Sequence, residues 1–371
     1  MRILIAPDKF KGSLSALAAA EAIARGFRTV WPEATMDLAP IADGGEGFAE
    51  ALAAALGAEW VNVRSVDAIG RPIDARYAWL SGEKLAVIEM SEASGLWRIA
   101  AGERAPLRAN TFGTGVLLAD AIARGAARAL IGLGGSATTD GGSGLARALG
   151  YRFAISDGTE FQPSPGTLSS LGKIEQPSSL CLPEVIAACD VQNPLLGVRG
   201  AARVYGPQKG ASPEQVEALE TAMMRLADVC ASSFGKDHRD IPGAGAAGGL
   251  GFGLLTFCNA SIRPGFDIIA ETVRLEDRIA AADLVVTGEG RLDDQTLDGK
   301  GPAGIAALAR SAGKRVIGFG GSVTDAAERA GLFDILVPIA NGLPLADAMR
   351  DAAMLLERAS KSTARLIENQ G

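Results

Sequence analysis

Both ends of the chain alternate short apolar runs with amphipathic, alanine-rich segments. Residues 2–6 predict a buried strand, and the segment from Ser13, a plausible N-cap, to about Val30 predicts a helix. The alternation returns from Asp283, with a strand predicted at 284–287 and a long helix from about 344 to 367. This rhythm is typical of a parallel, doubly wound α/β sheet.

The middle of the chain has a different rhythm. Extended runs at 60–66, 73–80 and 85–90 are joined by turn sequences and predict an antiparallel meander. With 371 residues, the chain exceeds the usual size of one hydrophobic core.

We therefore predict a two-domain α/β fold. Residues 1–58 plus 281–371 would form a discontinuous domain around a doubly wound parallel sheet, and residues 59–280 a second α/β domain inserted into it. The active site is expected in the cleft between the two domains.

Composition narrows the classes of function. A net charge of −7 argues against nucleic acid as a partner, and no apolar run has the length of a membrane span. The first residues read as a strand rather than a signal peptide. Four cysteines without a CxxC spacing fit reduced thiols, so the expected location is cytoplasmic.

The single histidine, His238, lies in a charged stretch at 236–240, where a solvated surface position is expected. Such a position excludes Ser-His-Asp catalysis and sites built from several histidines. Acid–base and metal chemistry would then fall to carboxylates, hydroxyls and lysines.

The stretch 131–144 is the most informative segment. An apolar run at 129–133 breaks into glycines, hydroxyl residues and one aspartate, and a helix-like segment follows at 145–150. A strand, a glycine-rich loop and a helix start present backbone N–H groups to an anion, usually a phosphate.

Further polar, glycine-containing clusters occur where strands are predicted to end, and in open α/β sheets ligands collect at that edge. They lie at 7–13, 42–47, 189–194 and 288–294. Asp43, Asp190 and Asp293 are the candidate Mg²⁺ ligands or bases, because Mg²⁺ prefers hard oxygen donors. The alternative for each aspartate is a cap on the following helix or turn.

Basic residues lie close to these clusters, but the sequence contains no complete nucleotide-binding motif. Lys11, Lys209, Arg291 and Lys300 lie in or beside glycine-rich turns and are candidate anion-binding residues. The Walker A pattern is absent, and a partial GxGxxG at 245–251 lacks its acidic partner. Close packing through small residues is the alternative role for that second glycine-dense stretch, 243–253.

Taken together, the motifs resemble those of the bacterial glycerate kinase family, type I. They are APDKFKGS at 6–13, ADGGEG at 42–47, GGSATTDGG at 134–142, ACDVQNPL at 188–195, YGPQKGA at 205–211, PGAGAAGG at 242–249 and VTGEGRLD at 286–293. The resemblance implies a flavodoxin-like domain interrupted by a second α/β domain. It also implies an ATP- and Mg²⁺-dependent kinase that converts D-glycerate to phosphoglycerate, usually 2-phosphoglycerate, in organic or sugar acid catabolism.

Site residues carried over from the family fall into groups by expected role. The ATP phosphates would be bound by Gly134, Gly135, Ser136 and Thr138, with Asp140 orienting the loop or the metal. Asp190 and Asp293 would hold Mg²⁺ or act as base, and Asp43 would position the reacting hydroxyl. Lys11 and Arg291 would bind the glycerate carboxylate or the γ-phosphate, and Ser13, Lys9 and Glu46 complete the predicted substrate site.

Three positions depart from the family pattern: Lys9 where Ser is expected, Thr139 for a frequent Asn, and Val116 where an acidic residue is common. Alternatives are a kinase for another hydroxy or sugar acid, and a non-catalytic regulator that binds a sugar acid. The partial GxGxxG argues against a nicotinamide dehydrogenase. The phosphorylated position and the oligomeric state are left open, with a homo-oligomer among the outcomes.

Overall fold

The structure is a computed structural model that describes residues 1–42, 45, 47–293 and 301–369. Two compact units divide the chain. The first comprises Met1–Asp43, Glu50–Gly57 and Phe266–Gly371, and the second comprises Gly44–Ala49 and Ala58–Gly265. The first unit thus contains both ends of the chain and the second contains its middle, while the cleft site stays a prediction.

Strands and α-helices alternate through most of the described chain. The strands are β1 (Arg2–Ile5), β2 (Thr35–Leu38), β3 (Glu59–Val66), β4 (Pro72–Leu80), β5 (Leu85–Glu89), β6 (Arg128–Gly132), β7 (Arg152–Ala154), β8 (Lys173–Glu175), β9 (Glu184–Ala188), β10 (Ser261–Arg263), β11 (Leu284–Leu292), β12 (Arg315–Val323) and β13 (Ile335–Pro338). The helices are α1 (Ala16–Arg28), α2 (Phe48–Leu56), α3 (Ser91–Ser94), α4 (Phe112–Ala123), α5 (Ser143–Ala148), α6 (Ala201–Tyr205), α7 (Pro213–Phe234), α8 (Ala246–Phe257), α9 (Gly265–Thr272), α10 (Leu275–Ala281), α11 (Pro302–Ser311), α12 (Asp325–Arg329), α13 (Leu345–Arg350) and α14 (Ala352–Glu368).

A parallel sheet forms the centre of the first unit, in the order β2-β1-β11-β12-β13. Its central strands contain short buried apolar runs, such as Leu284–Val286, because both faces of a parallel sheet are covered. Phe27 of α1 and Phe319 of β12 are fully buried in the core beside β1. The strand order reverses between β1 and β11, and ligands of doubly wound sheets bind at such a reversal. The α/β fold class is confirmed.

The second unit has a mixed sheet in the order β10-β9-β6-β5-β4-β3. Its β3-β4-β5 part is antiparallel, which confirms the predicted meander, while β5, β6, β9 and β10 are parallel. Strands β7 and β8 form a separate antiparallel pair. The core contains the buried aromatic residues Tyr77, Phe153, Phe252 and Phe257.

Three local predictions are wrong. The predicted strand end at 287 is too early, because β11 pairs with β12 as far as Leu292 and Val323, so backbone pairing continues through the polar cluster. The long helix at 344–367 is two helices, α13 and α14, separated at Asp351. Ser15, not Ser13, caps α1, since the Ser15 hydroxyl accepts the Ala18 amide.

Within the described residues, no helix combines the length and apolarity that a membrane span requires.

Candidate active site

The predicted phosphate loop leaves the end of β6 and is paired along its length with the segment after α3. The Leu96 amide donates to the Gly135 carbonyl at 2.8 Å, and the Ala137 amide donates to the Ser94 carbonyl at 2.9 Å. Gly135 has a φ of +68°, in the left-handed region that favours glycine. Gly135 is exposed and Gly134 half-buried, so the loop presents backbone to its surroundings at these two positions.

Asp140 holds the far side of this loop. Its carboxylate is fully buried and accepts hydrogen bonds from the Thr111 amide at 2.9 Å, the Thr111 hydroxyl at 2.8 Å and the Gly144 amide at 3.0 Å. Burial raises the pKa of Asp140, against the effect of these donors. These hydrogen bonds tie the Asp140 carboxylate to Thr111 and to the start of α5, and its role in orienting the loop or the metal stays a prediction.

Lys209 lies beneath the loop rather than on the surface. Its ammonium donates to the Ser136 hydroxyl at 2.7 Å and to the Thr138 carbonyl at 2.6 Å, and the residue is only 3% exposed. Burial lowers the pKa of Lys209 to about 7, while the charge of Asp140 opposes that shift. The Thr138 side chain is itself buried, with no hydrogen-bond partner for its hydroxyl among the described residues.

The second glycine-dense stretch packs against the same loop. The Gly141 amide donates to the Gly248 carbonyl at 3.1 Å, and a Cβ on Gly248 would lie 1.8 Å from the Thr138 carbonyl oxygen. Gly248 and Gly249 have φ of +69° and +85°. This arrangement is the close packing that the sequence offered as an alternative to a dinucleotide site.

Asp190 shares an edge of the sheet with the loop. Gly132 at the end of β6 is paired with Ala188 at the end of β9, so the phosphate loop and the segment carrying Asp190 emerge together. Asp190 is half-buried. The structure thus brings Asp190 to the end of the sheet from which the residues 134–140 extend.

Glu89 is a carboxylate at this edge that the sequence analysis did not single out. It ends β5, is paired with Gly132, and is 6% exposed. It accepts the Gly47 amide at 3.1 Å and the Ser91 hydroxyl at 2.8 Å, and burial raises its pKa. The signal available in the sequence was one acidic residue at the end of an apolar strand.

In the first unit, the segment after β1 carries several predicted residues. Lys11 is exposed, whereas Lys9 and Ser13 are half-buried, and the Ser13 hydroxyl donates to the Phe10 carbonyl at 2.9 Å. Asp8, which the prediction did not select, is 9% exposed, and its amide donates to the Gly288 carbonyl of β11 at 2.8 Å. This segment therefore lies at the reversal of strand order.

Arg291 and Asp293 meet at the end of β11. The Arg291 Nε is 3.1 Å from an Asp293 carboxylate oxygen, and the two side chains are 67% and 21% exposed. The prediction gave them separate roles, as an anion ligand and as a metal ligand or base. In the structure the carboxylate and the guanidinium form an ion pair at the edge from which the β1 segment also emerges.

Some predicted site residues cannot be placed. Asp43, Glu46 and Lys300 lie outside the described residues. Among the described residues, no group of three or more His, Cys, Asp or Glu side chains is arranged to hold a metal ion.

His238 is less exposed than expected. It is half-buried, its Nδ1 lies 3.1 Å from the Thr256 hydroxyl, and burial lowers its pKa. This position differs from the solvated surface position that the sequence predicts, and the assignment of acid–base work to other groups stays a prediction.

Comparisons with known proteins agree over the whole chain. Residues 3–368 match the model of the glycerate kinase family. A glycerate kinase of Bacillus subtilis (strain 168) is 43% identical over 99% of this chain and 98% of that protein. A glycerate 2-kinase of Escherichia coli (strain K12) is 43% identical over 88% of this chain and 86% of that protein.

A solved structure gives the same assignment. The crystal structure of a glycerate kinase 2 from Salmonella typhimurium LT2 aligns with a TM-score of 0.88 at 40% identity, covering 100% of this chain and 99% of that one. The motifs, the two α/β units and these similarities lead to one conclusion: the chain belongs to the glycerate kinase family.

Proposed function

We propose that this kinase transfers the γ-phosphoryl group of ATP to the 2-hydroxyl of D-glycerate, giving 2-phosphoglycerate and ADP in organic or sugar acid catabolism. Membership of the glycerate kinase family supports glycerate as the acceptor. The name of the Escherichia coli relative, glycerate 2-kinase, supports the 2-position. A cytoplasmic location, with no nucleic acid or membrane partner, remains part of the proposal.

The observation that carries the proposal is the loop after β6. Hydrogen bonds of Asp140 and Lys209 set its shape, and Gly134 and Gly135 leave backbone exposed beyond the carboxyl ends of the parallel strands β6 and β9. Phosphoryl transfer depends mainly on positioning and on charge stabilisation, with little covalent chemistry. Backbone N–H groups that the fold already holds in place can position a phosphate and stabilise its charge without reorganisation.

Asp190 and Asp293 suit Mg²⁺ by donor type. Mg²⁺ is usually held by one or two carboxylates together with substrate phosphates, so a cluster of three protein ligands is not required. When bound, the ion neutralises charge on the transferring phosphoryl group. Asp190 lies at the edge that carries the phosphate loop, and Asp293 follows β11.

The acceptor would be bound through cations and hydroxyls of the first unit. Lys11 and Arg291 are exposed and can bind the glycerate carboxylate or the γ-phosphate. Lys9 and Ser13 extend the segment after β1, and Glu46 and Asp43 complete the proposed acceptor site.

Incubation of the protein with ATP, Mg²⁺ and D-glycerate, followed by proton-coupled ³¹P NMR, tests this function. Phosphorus attached through C2 couples to one proton and gives a doublet, whereas attachment through C3 couples to two protons and gives a triplet. A doublet is expected. A triplet would overturn the position, and failure to form any phosphoglycerate would overturn the function.

Two further experiments test the Mg²⁺ requirement and the identity of the acceptor. Chelation of Mg²⁺ with EDTA should abolish turnover, and its persistence would contradict the metal requirement. A panel of other hydroxy and sugar acids tests the acceptor, since a higher kcat/KM for one of them would move the assignment to that acid.

A further inference from the structure

A buried lysine under the phosphate loop is not used by the reaction as described so far. The Lys209 ammonium donates to the Ser136 hydroxyl at 2.7 Å and the Thr138 carbonyl at 2.6 Å, two residues apart in the loop. Burying a lysine ammonium is costly unless charge or hydrogen bonds compensate. The burial of Lys209 against this loop, at 3% exposure, therefore suggests a function that offsets its cost.

The backbone around Lys209 holds it in place. The residue ends a short 3₁₀ turn, Pro207–Lys209, and is followed by Gly210 with a φ of +93°. The Arg104 guanidinium donates to the Gln208 carbonyl at 3.0 Å, which fixes the turn from its other side. Such a turn keeps the ammonium at one place beneath residues 136–138.

Two charged residues among those described bear on the environment of Lys209. Asp140, on the loop itself, is the acidic group whose charge acts on the lysine, and its carboxylate is engaged by Thr111 and backbone amides. Arg104 is the cation on the adjoining turn. The Lys209 charge is therefore only partly compensated in the free protein, and an anion on the loop would supply the remaining compensation.

We infer that Lys209 is a positioning residue for the phosphate donor: it fixes the shape of residues 136–138 and places a positive charge behind the loop on which the ATP phosphates bind. This inference rests on the proposed function. It answers a question raised by the sequence, which has a phosphate loop without a Walker lysine. Here the cation comes from a turn about 70 residues away and acts through the loop rather than on the nucleotide.

Lys209→Met tests the charge with little change in volume. We expect KM for ATP to rise about tenfold to hundredfold, because the loop loses its hydrogen bonds to the ammonium and the phosphates lose the positive charge behind the loop. KM for D-glycerate should change less than threefold. Lys314→Met is the matched control, since Lys314 also donates to a carbonyl, that of Ala280, at 2.7 Å but lies in the first unit and is only half-buried.

Lys209→Gln separates charge from simple tethering. The glutamine keeps an uncharged donor, so a purely structural lysine should be replaced with near-normal KM for ATP. A raised KM for ATP in a folded Lys209→Gln protein supports the inference, and a KM within twofold of wild type overturns it. The glutamine variant also serves if Lys209→Met does not fold.

A second readout reports the charge directly. With a pKa of about 7, Lys209 is mostly neutral at pH 8.5, and bound phosphates should draw a proton onto it. Calorimetry of ATP binding with Mg²⁺, in two buffers of different ionisation enthalpy, should show proton uptake in wild type. Lys209→Arg, which is always charged, should show none. Equal uptake in both proteins would overturn the inference.

The two proposals fail in different ways. Absence of ATP-dependent glycerate phosphorylation by the wild-type protein would refute the proposed function. Normal wild-type turnover combined with an unchanged KM for ATP in the lysine variants would refute only the role of Lys209.

Discussion

The phosphate loop of the second unit and the charged edge of the first unit are built in different ways. The loop is held by hydrogen bonds to Thr111, to Lys209 and to the Gly248 carbonyl, and all three residues are buried. At the edge of the first unit, Lys11 and Arg291 are exposed, and the Arg291 ion pair with Asp293 is open to solvent.

This difference indicates that the two regions contribute to ligand binding in different ways. A backbone loop must be held before the anion arrives, because free amides cannot be reoriented without cost. Exposed cations keep their side-chain freedom and contribute when a ligand orders them. Substitutions of the packed glycines in the first region should therefore affect stability, and substitutions of the exposed cations in the second should affect substrate affinity.

The largest expected effect is that of Gly248→Ala. A Cβ there would overlap the Thr138 carbonyl, and the φ of +69° disfavours any side chain, so we expect a loss of about 4 kcal/mol in the free energy of unfolding. Denaturant titration measures it. Gly125→Ala, at a φ of +86° with open space around it, should lose only about 1 kcal/mol. Equal losses would show that the loop packing is not tight.

Asp190→Asn should act on turnover instead. Loss of a metal ligand or base is expected to lower kcat about 100-fold with the unfolding midpoint unchanged, as steady-state kinetics and thermal melting would show. The control is Asp74→Asn, an exposed partner of Arg64 in the same unit. Activity near wild type in Asp190→Asn would remove Asp190 from the site.

Arg291→Met should have a smaller effect, confined to substrate affinity. We expect KM for D-glycerate to rise about tenfold, because one charge-assisted hydrogen bond is lost from an exposed position. Arg64→Met, at another exposed ion pair, should leave KM unchanged. If Arg291→Met instead lowers stability and spares KM, the charged edge is structural and the comparison fails.

The smallest expected effect is a pH-dependent difference in the free energy of unfolding between wild type and Glu89→Gln. Burial raises the pKa of Glu89 above its usual value of 4.5, so ionisation costs the folded state more than the unfolded chain. The free energy of unfolding of wild type should therefore fall relative to that of Glu89→Gln as pH rises from 4 to 7. Denaturant titrations at the two pH values measure it, and a pH-independent difference would contradict the raised pKa.

Most of the fold could be predicted from the pattern of apolar and polar residues along the chain. Apolar runs predicted the central strands, and the turn sequences at 69–72 and 81–84 predicted the meander that β3, β4 and β5 form. The end of β11 was missed because glycine and polar residues continue the backbone pairing as readily as apolar ones at the end of a sheet.

The site was accessible in part. Loop position and residue types pointed to Gly134–Asp140 and to Asp190, which the structure brings to one edge of one sheet. Their burial could not be read from local sequence: Lys209 and Gly248 have the composition of ordinary turn and packing residues, yet both pack against the loop.

By itself, the sequence determined most of the strands and helices, where glycine permits a tight loop, and which family the motifs resemble. These properties depend on residues close in the chain. Only the tertiary structure decided that Asp140 is buried within the loop, that Lys209 is buried beneath it and that Gly248 packs against it. The physical reason is that burial, and the pKa shifts that follow from it, depend on segments about 30 to 110 residues apart being packed together.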